Sequence, residues 1–501
     1  MAKTLACVVS SVLWLSTVVY GAASQAERAP QAQAHNAVAK WLDHQEPTSV
    51  AHMTANFLAN GAVLASPSKT DPDYYYHWTR DAALTMATVS RIYATASDPA
   101  ERSRLGDMMR NYALFVRGIN DRPTQSGPVD AYYTNIGEPK YNVDGTPYDR
   151  PWGRPQTDGP ALGAITLLKF LSISAAEDQQ SFVGRDDVPV IKEVITQYLD
   201  YTAHHWQTPS FDLWEEVRGH HFYNVMAQRR ALLLGAQYMH KNGDKARAAH
   251  YKAQAQVLTA RAEKYWDEKR GYIVATHDRS GGIDYKYSNL DVAAVLAVLH
   301  TDDHGEFFGP TDDRVLLTAL RLVQSFHQLF PINQRHIDHD GLAMAPGIGR
   351  YPEDRYDGVT TSTLGHGWFI ATAALAELHY RAALGFATAG RIEINNLNRA
   401  FFASLPGSAL NSVLTEQAQS GKTVVLKKSQ DTFKAVITAM LDAGDQYIAR
   451  VRHHAGSSGA LDEQFDRFTG FMRGARRLTW SYASVLSATD QRRQLIELLK
   501  D

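Results

Sequence analysis

Helical periodicity recurs through nearly the whole chain in two alternating kinds of segment, and this alternation narrows the possible folds more than any other feature of the sequence. One kind is small and apolar around most of its circumference: 78–94, 159–174, 222–239, 290–300, 368–383 and 478–488. A helix of that composition offers water no face and is buried on all sides. The other kind keeps a polar or charged face: 49–64, 100–118, 188–204, 244–268, 312–330 and 431–454. Period-two patterns joined by hairpin turns are scarce, so the class is all-α. Six buried helices alternating with six half-exposed ones predict an (α/α)6 barrel. In such a barrel the inner helices run parallel and the loops entering them share one rim.

With 501 residues and 44% hydrophobic side chains the chain can bury a large core, and a net charge of −2 leaves no basic excess for a nucleic-acid backbone. Lys3, the apolar run from Leu5 to Tyr20 and the small residues from Gly21 to Ala26 have the layout of a secretory signal, here 1–23. Ser10, Ser11, Ser16 and Thr17 interrupt that run, which is short for a spanning helix. The mature chain, 24–501, is expected to be a single exported domain, periplasmic or secreted, with no membrane attachment. Cys7 is the only cysteine and leaves with the signal, so the core carries stability without disulfides.

Each polar-aromatic cluster falls just before an inner helix. They are 74–81 (Tyr-Tyr-Tyr-His-Trp-Thr-Arg-Asp), 151–156 (Pro-Trp-Gly-Arg-Pro-Gln), 211–217 (Phe-Asp-Leu-Trp-Glu-Glu-Val), 349–354 (Gly-Arg-Tyr-Pro-Glu-Asp) and 461–466 (Leu-Asp-Glu-Gln-Phe-Asp). On one rim these loops converge on one pocket. Pyranose rings offer apolar C–H faces to Trp and Tyr, and vicinal hydroxyls that Arg and Asp engage with paired hydrogen bonds. The mixture therefore suits a sugar. Within it, Glu215 and Glu216 stand behind Trp214. An apolar neighbour and a second carboxylate both favour the protonated form, so Glu215 is expected to hold a proton near neutral pH. Glu463 lies in a Gly-Ser-rich stretch and is expected to be wetter and ionised.

These five segments resemble the characteristic regions of glycoside hydrolase family 15, the glucoamylases. The resemblance runs from about Trp41 to Ala488 and includes 137–142 (Gly-Glu-Pro-Lys-Tyr-Asn) and 158–162 (Asp-Gly-Pro-Ala-Leu). It implies an (α/α)6 barrel that releases glucose, with inversion, from the non-reducing ends of α-glucans. By that similarity Glu215 is the general acid, Glu216 binds the neighbouring sugar and Glu463 is the general base. Arg80, Asp81 and Arg350 resemble the clamp on the terminal glucose, helped by the backbone carbonyl of Leu213. Tyr74 and Gln464 help place the water, and Trp78, Trp152, Tyr356 and Trp368 form aromatic walls beside Trp214. Inversion needs an acid and a separate base roughly 6.5–9.5 Å apart. No metal or organic cofactor is implied, and the expected partner of this monomer is an α-glucan.

Departures from the family pattern occur at Thr157 and Gly163, where arginine is frequent, and at 364–367, Leu-Gly-His-Gly in place of Gly-Asn-Pro. Neither a C-terminal starch-binding module nor an N-terminal β-sandwich is expected, which favours soluble dextrins over granules. Hydrolysis of α-1,6-glucans or trehalose remains open, because one terminal-glucose clamp serves all three linkages. A non-catalytic sugar-binding barrel is the reading from another class, and retention of both Glu215 and Glu463 argues against it. Gly421-Lys422-Thr423 lacks the earlier glycine of a phosphate loop and reads as a turn. The histidine pairs 204–205, 220–221 and 453–454 and the run 336–340 lack zinc-helix spacing, and Asp144-Gly145 and Asp340-Gly341 read as turns.

Overall fold

The computed structural model describes residues 28–176, 188–301, 307–408 and 410–500. The segment read as an export signal, 1–23, lies outside them. Fourteen α-helices occur among the described residues: α1 (Arg28–Thr54), α2 (Thr79–Thr95), α3 (Pro99–Asn120), α4 (Asp158–Ala176), α5 (Val188–His205), α6 (Phe222–Lys241), α7 (Lys245–Ala262), α8 (Ala293–Thr301), α9 (Asp313–Leu329), α10 (Phe369–Ala389), α11 (Arg399–Ala403), α12 (Asn411–Ser420), α13 (Asp431–His454) and α14 (Thr479–Lys500). None is long and apolar enough to cross a membrane.

The inner ring closes. Helix α2 packs on α4, α4 on α6, α6 on α8, α8 on α10, α10 on α14, and α14 back on α2. Around it α3 and α5 pack on α2 and α4, α7 on α6, α9 on α8, α13 on α10 and α1 on α14. Burial follows composition. In α8 every residue from Ala293 to Leu299 is buried, whereas α7 buries a stripe of Ala248, Tyr251, Ala255, Leu258 and Ala262 at three- and four-residue spacing. Outer helices are started by side-chain caps: Asp98 accepts from Ala100 N, Asp244 from Arg247 N and Asp312 from Arg314 N.

Two expectations need correction. The outer helix expected at 49–64 is α1, which begins at Arg28 and ends at Thr54, and the chain then turns through Asn60-Gly61. The periodicity was disguised because the buried stripe, Val38, Leu42, Gln45, Ser49 and Met53, is partly polar. Between α10 and α13 lies an excursion absent from the sequence reading, the antiparallel strands Arg391–Ile394 and Val424–Lys427 with α11 and α12 between them. Gly421-Lys422-Thr423 is the turn leaving α12, with Gly421 in the left-handed region. Asp144-Gly145 and Asp340-Gly341 are also turns, with both glycines at positive φ.

Short strands weld the rim. His77–Trp78 pairs with Lys140–Tyr141, and Gly367–Trp368 with Gln464–Phe465. Val217–His221 lies between Ser210–Phe211 and Thr276–Gly282. Three of these strands run directly into inner helices: Trp78, His221 and Trp368 keep extended backbone and are the N-caps of α2, α6 and α10. The rim residues are therefore anchored at both ends, in ladder and in barrel.

Candidate active site

A tight turn divides the two adjacent glutamates. Asp212 Oδ1 accepts from Glu216 N at 2.8 Å and Val217 N at 3.2 Å, and Glu215 N donates to Asp212 O. Glu215 takes φ 66°, a left-handed conformation uncommon for a residue with a Cβ. The two carboxylates consequently face different walls. Oε1 of Glu215 accepts from Trp78 Nε1 at 2.8 Å and Gln156 Nε2 at 3.0 Å, and Oε2 from Trp152 Nε1 at 2.8 Å. Glu216 accepts from Arg350 Nη2 and from the Tyr351 hydroxyl, both at 2.7 Å. Burial pushes the Glu216 carboxyl up to about 7, against the opposing effect of Arg350.

The neighbours expected to act on Glu215 turn elsewhere. Glu216 is held by Arg350 and Tyr351, and the Trp214 indole N–H donates to Asp291 at 3.0 Å while its ring meets Trp368 and Trp480. Glu215 has indole and amide donors instead. A carboxyl offers about four lone-pair sites, and two donors on Oε1 leave the spare site on Oε2, the Trp152 side. Trp152 is 38% exposed, so this is the open side of the group.

Glu463 also departs from expectation. It is fully buried, and burial pushes its carboxyl up to about 8, opposed by the Tyr74 hydroxyl, Arg350, Ala475 N and Gln464. Oε2 receives Gln464 Nε2 at 3.3 Å and Ala475 N at 3.4 Å, whereas buried Oε1 has no hydrogen-bond partner among the described residues. The dryness comes from close backbone: Gly474, at φ 75°, lies so near that a Cβ would collide with the Glu463 carboxylate. Gly-Ser composition suggested solvent; it instead permits tight wrapping.

The remaining expected residues gather around these carboxyls. Tyr74 and Tyr356 join hydroxyls at 2.9 Å, and Tyr74 packs on Trp78 at 5.2 Å between ring centroids. Arg80 is held by Asp158 and Gln156, and Asp81 next to it is pushed up to about 7 by burial, against the pull of Arg80. Arg350 is braced by Asp354 and lies 5.1–5.4 Å from the rings of Trp214, Tyr356 and Trp368. Leu213 is buried within the turn, and Gln464 is fully buried. Trp368, only 5% exposed, backs the site from within its ladder to Gln464.

The model of the glycosyl hydrolases family 15 matches residues 50–490. The chain belongs to glycosyl hydrolase family 15. A glucoamylase of Blastobotrys adeninivorans is 35% identical over 443 residues, 87% of this chain and 68% of that protein. Glucoamylase 1 of Rhizopus oryzae is 35% identical over 473 residues, 93% and 73% of the two chains. The solved glucoamylase of Saccharomycopsis fibuligera matches with a TM-score of 0.83 at 29% identity, covering 92% of this chain and 96% of that one.

This family 15 barrel accommodates its departures structurally. Thr157 is buried and accepts from Asn224 at 3.1 Å and Gln228 at 2.9 Å, leaving no room for arginine. Gly163 lets α4 approach Tyr198 of α5, where a Cβ would collide with the ring. In 364–367, Gly365 N donates to Asp354 O, so this loop supports the brace of Arg350.

Four contributors carried no role in the sequence reading. Gln156, Tyr351 and Asp354 lay inside clusters already singled out. Lys140 lay in 137–142, outside the five clusters: its Nζ, buried and without an ion pair among the described residues, lies 3.3 Å from the centroid of Trp152, 4.0 Å from Tyr148, 4.3 Å from Trp78 and 4.6 Å from Tyr76. It props from behind the two indoles that reach Glu215. Asp338, His339 and Asp340 are the one group among the described residues that could hold a metal, but Arg452 already pairs with both aspartates.

Proposed function

We propose that the protein is an exo-acting, inverting glucoamylase that releases β-D-glucose from the non-reducing ends of starch, dextrins and malto-oligosaccharides. The observation that carries this reading is the pair of carboxyls in unlike settings. Glu215 is hydrogen-bonded by Trp78, Trp152 and Gln156 and is open on the Trp152 side, and Glu463 is buried with one oxygen unpartnered among the described residues. Glu215 delivers its proton from Oε2 to the glycosidic oxygen. Glu463 Oε1 accepts a proton from water, and that water attacks the anomeric carbon from the opposite face. Gln464 holds the Glu463 carboxylate through Oε2, and with Tyr74 it helps place the water. Asp81, Arg80 and Arg350 grip the terminal glucose, and Glu216 takes the sugar on the leaving side. The reaction needs only carboxyls and water.

The signal-like layout of residues 1–23 supports export, and a monomer suffices because every group named comes from one chain. The decisive experiment incubates the mature protein with maltotetraose and follows released glucose by proton NMR. Initial β-glucose, abolished in Glu463→Gln, is expected; initial α-glucose overturns the mechanism. Parallel rates on maltose, isomaltose and trehalose fix the linkage, with maltose expected to be fastest.

A further inference from the structure

The sixth entry loop, 283–292, carries none of the motifs of the other five, yet it contributes a fully enclosed cation. Lys286 is 1% exposed and stands between Asp212, 3% exposed, and Asp291, 0% exposed. Its Nζ is ion-paired to Asp291, lies 3.4 Å from Asp212 Oδ2 and sits 4.2 Å from the ring centroid of Tyr351. Each neighbour does a second job. Asp212 caps the turn at Glu216 N and Val217 N, Asp291 fixes the Trp214 indole, and Tyr351 donates to Glu216 Oε2 at 2.7 Å. The loop itself is tied to the same turn, since Ile283 N donates to Glu216 O at 2.9 Å.

We infer that Lys286 is a positioning residue for the leaving-side sugar: its ammonium locks three supports of Glu216 and Trp214 without touching substrate. The inference rests on Glu216 as the group that holds that sugar. An ammonium packed between two buried carboxylates has little freedom, so moving it moves the turn that aims Glu216. A cation that merely neutralised its aspartates would matter equally for every substrate. A positioning cation matters where a leaving sugar must be held.

The test compares maltose with α-D-glucosyl fluoride, which presents the same glucose but no sugar on the leaving side. Lys286→Met alone strands two buried carboxylates and risks unfolding, so the working variant is Lys286→Met combined with Asp291→Asn, which keeps an acceptor for Trp214. Its fold is checked by circular dichroism and thermal transition; if it fails to fold, Lys286→Arg is read in the same way. The expected result is a loss in kcat/KM of about tenfold or more for maltose, chiefly through KM, with less than about threefold for the fluoride. Equal losses on both substrates, or none, overturn the assignment. Glu216→Gln serves as reference. If it is selective against maltose while the Lys286 variant is not, only the role of Lys286 falls. If it is unselective, the reading of Glu216 falls and takes the inference with it.

Discussion

Glu215 and Glu216 are neighbours in sequence and strangers in space because one backbone angle, φ 66° at Glu215, turns their side chains apart. The acid role given to Glu215 makes a sharp demand: a leaving group that needs no proton does not need it. Glu215→Gln is expected to lower kcat on maltose by about 10²–10⁴ and to leave α-D-glucosyl fluoride far less affected, measured as initial rates on both substrates. Glu463 gives a prediction in pH. The nearby Tyr74 hydroxyl favours its ionised form, so Tyr74→Phe removes that stabilisation and raises the carboxyl further. A base must be ionised to act, so the acidic limb of kcat/KM is expected to move to higher pH in this variant. An unmoved limb would exclude Glu463 as the group it reports. Both carboxyls stood out as candidates in the sequence, because Trp-Glu-Glu and Asp-Glu-Gln sit before inner helices. Their surroundings were not, since a positive φ on a glutamate and a glycine pressed against a carboxylate are settled only by the packed backbone.

At the scale of the element, alternation of composition was enough to give the barrel, and five of the six outer helices fall close to where it puts them. The exception, α1, buries Gln45 and Ser49, which satisfy each other at 2.9 Å and interrupt the apolar stripe of Val38, Leu42 and Met53. The excursion through α11 and α12 was illegible for the opposite reason: it adds helices that do not belong to either ring. Helix packing also explains a small residue where the family often carries a large one. Replacing Gly163 with alanine would ordinarily favour a helix by roughly 1 kcal/mol. Here the added Cβ meets Tyr198, which is fully buried and cannot withdraw, and overpacking costs about 1–3 kcal/mol. At the upper end of that range the steric term wins, so Gly163→Ala is expected to lower unfolding free energy by up to about 2 kcal/mol in urea titrations. A stabilised variant would mean that α4 and α5 can part without cost.

For the whole molecule the vulnerable point is where a linear chain must close a ring. Helices α14 and α2, from opposite ends of the described chain, meet there, and α1 spans the outside of α14 and α13. Beside this seam a buried ionic cluster fastens α1 to α13 and α14: Arg492 of α14 pairs with Asp445 of α13 at 2.7 Å, Tyr380 of α10 donates to Asp445 at 2.6 Å, and His35 of α1 bridges Asp442 and Asp445. Those two carboxylates raise His35 from 6.5 to about 9, through hydrogen bonds to Asp442 and then Asp445, against its desolvation. The folded state therefore binds the His35 proton more tightly than the unfolded state does. That contribution is complete below about pH 6.5 and is lost as pH rises through about 9. The ring is partly exposed, so after allowance for solvent screening the gain is on the order of 1–2 kcal/mol. Comparing urea unfolding of the native chain with His35→Gln isolates it from every other titrating group. The native chain should be more stable at pH 6, and the gap should narrow steadily toward pH 10. A gap that stays constant across that range would mean that His35 fastens α1 by shape alone, with its charge contributing nothing to the docking of α1 on α13 and α14.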